Sequence, residues 1–159
     1  MQEKTLKLNF TSAHLSELDT QDKELITNAK EAFITAYAPY SGFLVGAAVQ
    51  LNNGVVLGGC NQENASYPLC MCGERVALYN AAANYPHQSV VSLAIVARNP
   101  RKKLTQPVSP CGACRQVIAE YESRYGSDIR IILKGETDDV IIFDTIKELL
   151  PYGFDSTFL

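Results

Sequence analysis

The chain has 159 residues, of which 47% are hydrophobic and 19% charged, as expected for one globular domain with a substantial core. Its formal net charge of −3 weighs against DNA or RNA as a partner, because binding a polyanion usually requires a basic surface. There is no apolar signal region at the start, and no apolar run approaches the roughly 18 residues of a membrane-spanning helix. We therefore expect a single cytoplasmic domain over residues 1–159, with neither a nucleic acid polymer nor a membrane as partner.

The predicted elements begin with a helix over Asp22–Tyr37, where apolar residues recur at helical spacing until Pro39 ends the pattern. Two strands follow, Leu44–Leu51 and Val55–Cys60, and the Asn-Gly sequence between them indicates a hairpin. The later elements, in chain order, are helix Met71–Ala83, strand Val90–Arg98, helix Pro110–Tyr125, strands Asp128–Leu133 and Val140–Phe143, and a short helix that ends at Leu150.

This order of elements predicts an α/β fold, because parallel strands require crossovers and the second and third helices can supply them. We expect three layers, α/β/α, with a mixed five-stranded sheet between the helices. Pro151 ends the last helix, so residues 151–159 form a tail. No function is predicted for the polar loop of residues 99–107.

The five cysteines favour a metal site or catalysis over disulfide bonds, because their number is odd and a cytoplasmic protein keeps its thiols reduced. Cys111 and Cys114 lie three residues apart at the predicted start of one helix, and Cys72 lies at the start of another. Helix N-termini stabilise thiolates. Three thiolates from two helix starts could bind one Zn²⁺ and leave its fourth position to water, which is the catalytic arrangement.

Glu74 makes a catalytic site more plausible than a structural one, because a carboxylate beside a metal-activated water can move protons. Residues two apart do not share a helix face, so Cys72 and Glu74 reach one site only if Cys72 is at or before the first helical position. The alternatives are a redox pair formed by the CxxC cysteines and a four-cysteine structural zinc site that includes Cys60 or Cys70. Neither gives Glu74 a role.

Cys-x-Glu followed by Pro-Cys-x-x-Cys is a signature of zinc deaminases. The chain resembles the cytidine deaminase family, in its small, three-cysteine, nucleoside-acting form, over roughly residues 36–154. The motifs that carry the resemblance are YSGFLVGAA, GCNQENASYP, CGERVAL, SPCGACRQV and LLPYGFDS. Their occurrence in this order is far more specific than any one of them alone.

The resemblance implies zinc-dependent hydrolytic deamination of cytidine and deoxycytidine to uridine and deoxyuridine, as in pyrimidine salvage. One Zn²⁺ per subunit would be held by Cys72, Cys111 and Cys114. Glu74 would move protons between the attacking water, ring N3 and the departing amine. We also expect Arg75 to donate hydrogen bonds to the ligand sulfurs and to offset their negative charge.

The resemblance further implies a set of nucleoside-binding residues. Asn61 and Glu63 match a ribose-binding pair, and Phe43 matches an aromatic side chain that packs on the base. Backbone groups near Ala65 and Gly73 should read the pyrimidine edge, although the family usually has alanine where this chain has Gly73. The full expected set is Phe43, Asn61, Glu63, Ala65, Tyr67, Gly73 and Phe154.

The tail is the part of the chain for which the resemblance implies a second subunit. Phe154 matches an aromatic residue that reaches into a neighbouring subunit's site, and Tyr67 and Tyr40 match residues at shared site borders. The implied assembly is a homotetramer with composite sites, in which residues 151–159 close an active site. From the residues alone, the tail could equally fold onto its own subunit.

Three other functions compete with deamination of a plain nucleoside. Deaminases of a cytosine-containing antibiotic, such as blasticidin S, share the zinc motifs, but the presence of Asn61, Glu63 and Phe43 favours a plain nucleoside. A non-catalytic zinc scaffold or nucleoside-binding module would have no use for Glu74. Editing of a polynucleotide is disfavoured by the acidic composition.

Overall fold

All 159 residues are described by the structure, which is a computed structural model. Six strands form one mixed sheet: β1 Thr11–His14, β2 Leu44–Leu51, β3 Val56–Cys60, β4 Val90–Arg98, β5 Arg130–Lys134 and β6 Asp139–Phe143. Their order across the sheet is β1-β6-β5-β4-β2-β3. Only β4 and β5 are parallel neighbours, and every other adjacent pair is antiparallel.

Three α-helices pack on this sheet: α1 Thr20–Phe33, α2 Gly73–Asn84 and α3 Gly112–Tyr125. Short 3₁₀ helices span Leu15–Glu17, Tyr67–Leu69, Ile146–Glu148 and Ser156–Phe158. As expected, α3 supplies the crossover between the parallel strands β4 and β5. No helix combines the length and the apolar character that crossing a membrane requires.

The hydrophobic core has two parts, one on each face of the sheet. On one face, Leu25 and Ile26 of α1 pack with Ile132 and other side chains of the sheet. On the other, Leu78 of α2 and Ile118 of α3 belong to the larger cluster. The predicted three-layer α/β/α architecture is therefore confirmed.

Glycines in the hairpin allow both layers of helices to approach the sheet closely. A Cβ atom added at Gly59 would lie 2.3 Å from the backbone nitrogen of Ala77 in α2. A Cβ atom added at Gly46 would lie 2.1 Å from the carbonyl oxygen of Ala29 in α1. Only glycine fits at these two positions, and the contact at Gly59 holds α2 against the strand that precedes it.

The sheet has six strands where the sequence indicated five, because the edge strand β1 was not predicted. Its four residues, TSAH, include no buried side chain. They pair with β6 through the backbone, with Thr11 opposite Ile142. A strand at a sheet edge that is held mainly by backbone hydrogen bonds leaves no apolar alternation in the sequence.

The first helix is shorter than predicted, ending at Phe33 rather than at Tyr37. The backbone of Tyr37 pairs instead with the segment after β3: its N–H donates to the carbonyl of Asn61 at 3.0 Å, and its carbonyl accepts from Glu63 at 2.8 Å. The last predicted helix is a single 3₁₀ turn, Ile146–Glu148. The other predicted elements are present, with boundaries shifted by at most two residues.

Candidate metal centre and active site

Three cysteine thiols meet where the starts of two helices face each other. Cys72 is the N-cap residue of α2 and Cys111 the N-cap residue of α3, and both have extended backbone conformations. Cys114 lies in the first turn of α3 and is fully buried. The Sγ atom of Cys111 is 3.8 Å from that of Cys72 and 3.5 Å from that of Cys114, and all three lie within 4.8 Å of one another.

These distances fit one tetrahedral zinc ion. A Zn–S bond of about 2.3 Å places two ligand sulfurs about 3.8 Å apart in a regular tetrahedron. The donor set of three cysteines is also one that zinc prefers. The expectation that Cys72 precedes the first helical position is confirmed, and this is why Cys72 and Glu74 can face the same site although they are two residues apart.

The two remaining cysteines have other partners. The thiol of Cys70 exchanges hydrogen bonds with the backbone of Asn64, at 3.2 and 3.5 Å. The thiol of Cys60 contacts the side chains of Thr35 and Gln62, at 3.5 and 3.3 Å. Neither belongs to the three-cysteine group, so the structure does not form a four-cysteine structural site.

The thiols of Cys72 and Cys114 have pKa values shifted in opposite directions. The hydrogen bond from the Cys114 thiol, assisted by Arg75, lowers the pKa of Cys72 to about 5. The same interaction, together with burial, raises the pKa of Cys114. Cys72 is thus ready to act as a thiolate ligand at neutral pH.

Arg75 stands beside this group of thiols. Its Nη2 atom lies 3.8 Å from the Sγ of Cys72 and 3.4 Å from the carbonyl oxygen of Cys70. Burial lowers the pKa of Arg75, but the interactions with Cys72 and Cys114 together outweigh it, so that the pKa is raised overall. Its buried Nε has no hydrogen-bond partner. The arginine can therefore offset part of the charge that three thiolates bring to one Zn²⁺.

Glu74 is the acidic side chain of the site. It lies in the first turn of α2 and is 4% exposed, and its Oε2 atom has no hydrogen-bond partner. Burial raises the pKa of Glu74 to about 7. A buried carboxyl oxygen without a partner is energetically costly, and a carboxyl group that titrates near neutral pH is suited to proton transfer.

A cavity of about 360 Å³ adjoins these groups, within the size range of small-molecule sites. Six of the residues expected at the site line it: Phe43, Asn61, Glu63, Cys72, Glu74 and Cys111. Most of its other walls are apolar, which would exclude water from around a bound base. The structure thus brings the expected metal, acid and aromatic groups to one place.

Asn61 and Glu63 hold the segment that carries Phe43. The Asn61 amide donates to the carbonyl of Phe43 at 2.8 Å and accepts from the N–H of Val45 at 2.9 Å. The Glu63 carboxylate accepts from the hydroxyl and the N–H of Ser41 and from the N–H of Tyr40, and these hydrogen bonds, that of the hydroxyl first, lower its pKa. Both side chains keep free lone pairs, and Asn61 keeps one N–H, for a ligand.

Four of the expected nucleoside-binding residues do not line the cavity. Ala65 and Tyr67 lie on an exposed loop, and Tyr67 makes an edge-to-face contact with Tyr40 at 6.0 Å. Gly73 is the buried first residue of α2, where an added Cβ would lie 3.0 Å from a backbone carbonyl. Phe154 borders a separate cavity near the end of α3. The roles of these four residues stay predictions.

Nine lining residues were not anticipated from the sequence: Ser41, Val45, Gln62, Cys70, Met71, Ile95, Ala97, Val108 and Ser109. Ser41, Val45, Gln62 and Ser109 lie inside the recognised motifs YSGFLVGAA, GCNQENASYP and SPCGACRQV, so a signal for them was available. Ile95 and Ala97 could not be distinguished from ordinary core residues, because they fit the apolar pattern of their strand.

The chain matches the family model described as the cytidine and deoxycytidylate deaminase zinc-binding region, over residues 19–125. It is 44% identical over 130 residues to a cytidine deaminase of Halalkalibacterium halodurans. The matched segment covers 82% of this chain and 91% of that protein. It is similar to the crystal structure of cytidine deaminase from Burkholderia pseudomallei, with a TM-score of 0.73 and 41% identity over 82% of this chain and 97% of that one. A blasticidin-S deaminase of Bacillus cereus is more distant, at 27% identity over 86% of this chain and 94% of that protein.

Proposed function

This chain belongs to the cytidine and deoxycytidylate deaminase family, and from that premise we infer that it is a zinc-dependent hydrolase of pyrimidine salvage. It converts cytidine and deoxycytidine to uridine and deoxyuridine. The observation that carries this conclusion is the unpartnered, buried carboxyl oxygen of Glu74 beside three thiols and a nucleoside-sized cavity. A zinc scaffold without catalytic activity would not need that carboxyl group.

In the proposed reaction, the oxygen of a water molecule bonds to C4 of the cytosine ring, the C4–N bond breaks, and ammonia leaves. Cys72, Cys111 and Cys114 would hold the zinc ion, which would supply Lewis-acid chemistry that lowers the pKa of water towards neutral pH. Glu74 accepts a proton from the attacking water, delivers one to ring N3, and later delivers one to the departing amino group. A pKa near 7 suits both directions of transfer.

We propose that the nucleoside enters the cavity with its base against Phe43 and its ribose towards Asn61 and Glu63. The carboxylate of Glu63 is already held by the 40–41 turn, so it can accept from a sugar hydroxyl without moving. A preorganised acceptor of this kind loses little entropy on binding. The expected contacts with the base edge come from the backbone near Ala65 and Gly73.

We further propose a homotetramer in which the tail of residues 151–159 closes the site of a neighbouring subunit. Phe154 supports this, because its side chain is 58% exposed and lies away from the metal centre of its own chain. Tyr67, which is 69% exposed, is a further aromatic residue that one chain leaves uncovered. The cytoplasmic location of the enzyme stays a prediction.

Deletion of the residues after Pro151 tests the role of the tail. We expect KM for cytidine to rise several-fold, because the nucleoside loses an aromatic contact, while zinc content stays the same. The matched control is deletion of residues 1–5, which lie at the other end of the chain and are all exposed. An unchanged KM after removal of the tail would contradict the proposal.

The experiment that tests the function is an ultraviolet time course on purified protein of known zinc content. Cytidine, deoxycytidine and blasticidin S are offered separately, and loss of the cytosine chromophore is followed together with release of ammonia. We expect both nucleosides to be converted and the antibiotic to be converted slowly or not at all. Conversion of the antibiotic alone would replace the substrate assignment, and no conversion at one zinc per chain would refute the activity.

A further inference from the structure

Between β3 and α2 the chain forms a loop whose closure depends on a side chain. Gln62 and Met71 exchange two backbone hydrogen bonds, of 2.8 and 2.9 Å, at the neck of the loop. The ladder stops there, because the backbone N–H of Cys70 turns back to the carbonyl of Tyr67 at 3.0 Å. Beyond this point, the thiol of Cys70 and not its backbone forms the hydrogen bonds to the opposite side of the loop.

This thiol holds both backbone groups of Asn64. The N–H of Asn64 donates to the Sγ of Cys70 at 3.2 Å, and the Cys70 thiol donates to the carbonyl oxygen of Asn64 at 3.5 Å. The first bond fixes the peptide plane that joins Glu63 to Asn64, and the second fixes the plane that joins Asn64 to Ala65. Because a peptide unit is planar, holding the Asn64 carbonyl also sets the direction of the Ala65 N–H.

Cys70 is also held in place relative to the metal centre. Its carbonyl oxygen accepts from Nη2 of Arg75 at 3.4 Å, and the same Nη2 lies 3.8 Å from the Sγ of Cys72. Cys70 lines the same cavity as Glu74 and Phe43. The thiol itself is outside the three-cysteine group, so its hydrogen-bonding capacity is directed to the loop.

We propose that Cys70 is a positioning residue for nucleoside binding, whose thiol sets the peptide groups between Glu63 and Ala65 at the distance from the metal centre that the substrate requires. This inference rests on the proposed function, since Glu63 and Ala65 are the expected contacts with ribose and base. It assigns Cys70 to binding and gives it no part in the chemical step.

The test compares three variants as zinc-loaded enzymes. Cys70→Ala removes both hydrogen bonds, and Cys70→Ser keeps a donor and an acceptor. Cys60→Ala is the matched control, because it removes another thiol with two hydrogen-bonding neighbours that does not line the cavity. For each variant, kcat and KM for cytidine, affinity for the product uridine by calorimetry, and zinc content are measured.

We expect Cys70→Ala to raise KM about three- to tenfold and to weaken uridine binding equally, as for the loss of one or two weak hydrogen bonds. Its kcat and zinc content should match those of the wild type. Cys70→Ser should recover most of the affinity, and Cys60→Ala should change neither parameter. Loss of zinc, or a fall in kcat at unchanged KM, would overturn the assignment.

The outcomes also separate this inference from the function on which it rests. A wild-type protein that neither converts cytidine nor binds uridine would refute the proposed function, whereas an active wild type with unchanged KM in Cys70→Ala would refute only the role of Cys70. If Cys70→Ala fails to fold, hydrogen exchange in the wild type decides. The amide of Asn64 should exchange more slowly than that of its neighbour Ala65, whose N–H donates no hydrogen bond within the chain, and equally fast exchange would overturn the proposal.

Discussion

Two glutamates are almost equally buried in this protein, Glu74 at 4% exposure and Glu122 at 5%, but their surroundings differ. Near the end of α3, the carboxylate of Glu122 accepts from the N–H groups of Ile129 and Ile146 and from the hydroxyl of Thr145, each at 2.9 Å. At the start of α2, Glu74 has a carboxyl oxygen without a partner. Burial therefore does not identify the functional acid, whereas unsatisfied hydrogen-bonding capacity does.

Removal of the metal should have the largest effect and should be confined to the Glu74 region. We expect a chelator to abolish turnover and Zn²⁺ to restore it, because the three thiols at the starts of α2 and α3 lose the metal ion that they bind together. Hydrogen exchange should accelerate at those two helix starts and much less around Glu122. Full activity in metal-free protein would contradict the zinc assignment.

Arg75→Ala should weaken zinc binding about 10- to 100-fold, the usual cost of losing a residue that supports metal ligands. The physical reason is that Nη2 of Arg75 lies 3.8 Å from the Sγ of Cys72 and offsets the charge of the thiolates. Competition with a chromophoric chelator measures the affinity. Arg124→Ala serves as the control, because Arg124 is exposed and lies over the ring of Tyr125 at the opposite end of α3 from the metal centre. Wild-type zinc affinity and turnover in Arg75→Ala would contradict this role of the arginine.

Glu122→Gln should reverse the pattern expected at Glu74 by lowering stability and sparing activity. Glutamine can keep its oxygen on the N–H groups of Ile129 and Ile146, but its amide nitrogen cannot accept from the Thr145 hydroxyl and the negative charge that strengthens all three hydrogen bonds is lost. About 1–2 kcal/mol of unfolding free energy should therefore be lost. Urea denaturation of the zinc-loaded protein measures this, and kcat is determined on the same sample. A large fall in kcat at unchanged stability would mean that the two glutamates had been assigned the wrong way round.

Ser127→Ala should have the smallest effect on stability and turnover. It tests whether a buried polar group without a partner marks a functional residue away from the metal centre. The hydroxyl of Ser127 is the third buried polar group without a partner, after those of Glu74 and Arg75, and it lies near the end of α3. A neutral hydroxyl can be removed at little cost, so we expect stability to change by less than about 1 kcal/mol and turnover not at all. Reduced turnover would show that an unpartnered atom far from the metal centre also has a function.

The chemical part of the site was the most predictable from the sequence. Cys72, Glu74, Cys111 and Cys114 lie at fixed spacings near helix starts, and a helix start determines where such side chains can point. The N-cap positions of Cys72 and Cys111 confirm the geometry that the spacing of Cys72 and Glu74 required. Local structure set the direction of each side chain, and the order of motifs shared with the cytidine deaminases indicated that the two helix starts meet.

Features that depend on contacts distant in sequence were not predictable. The edge strand β1 exists because its backbone pairs with β6, and α1 ends early because Tyr37 pairs with the segment after β3. The role of Glu122 was equally hidden, since its three partners lie 7 to 24 residues away. None of these contacts leaves a periodic or compositional signal in the sequence.

The most direct test of the account is to measure cytidine turnover, zinc content and stability of Glu74→Gln beside Glu122→Gln. Glutamine keeps the shape of Glu74 but cannot carry a proton between the water and the base. We predict that kcat of Glu74→Gln falls about 10²- to 10⁴-fold, with zinc content and unfolding free energy preserved. A turnover within a few-fold of the wild type at full zinc content would contradict the role of Glu74.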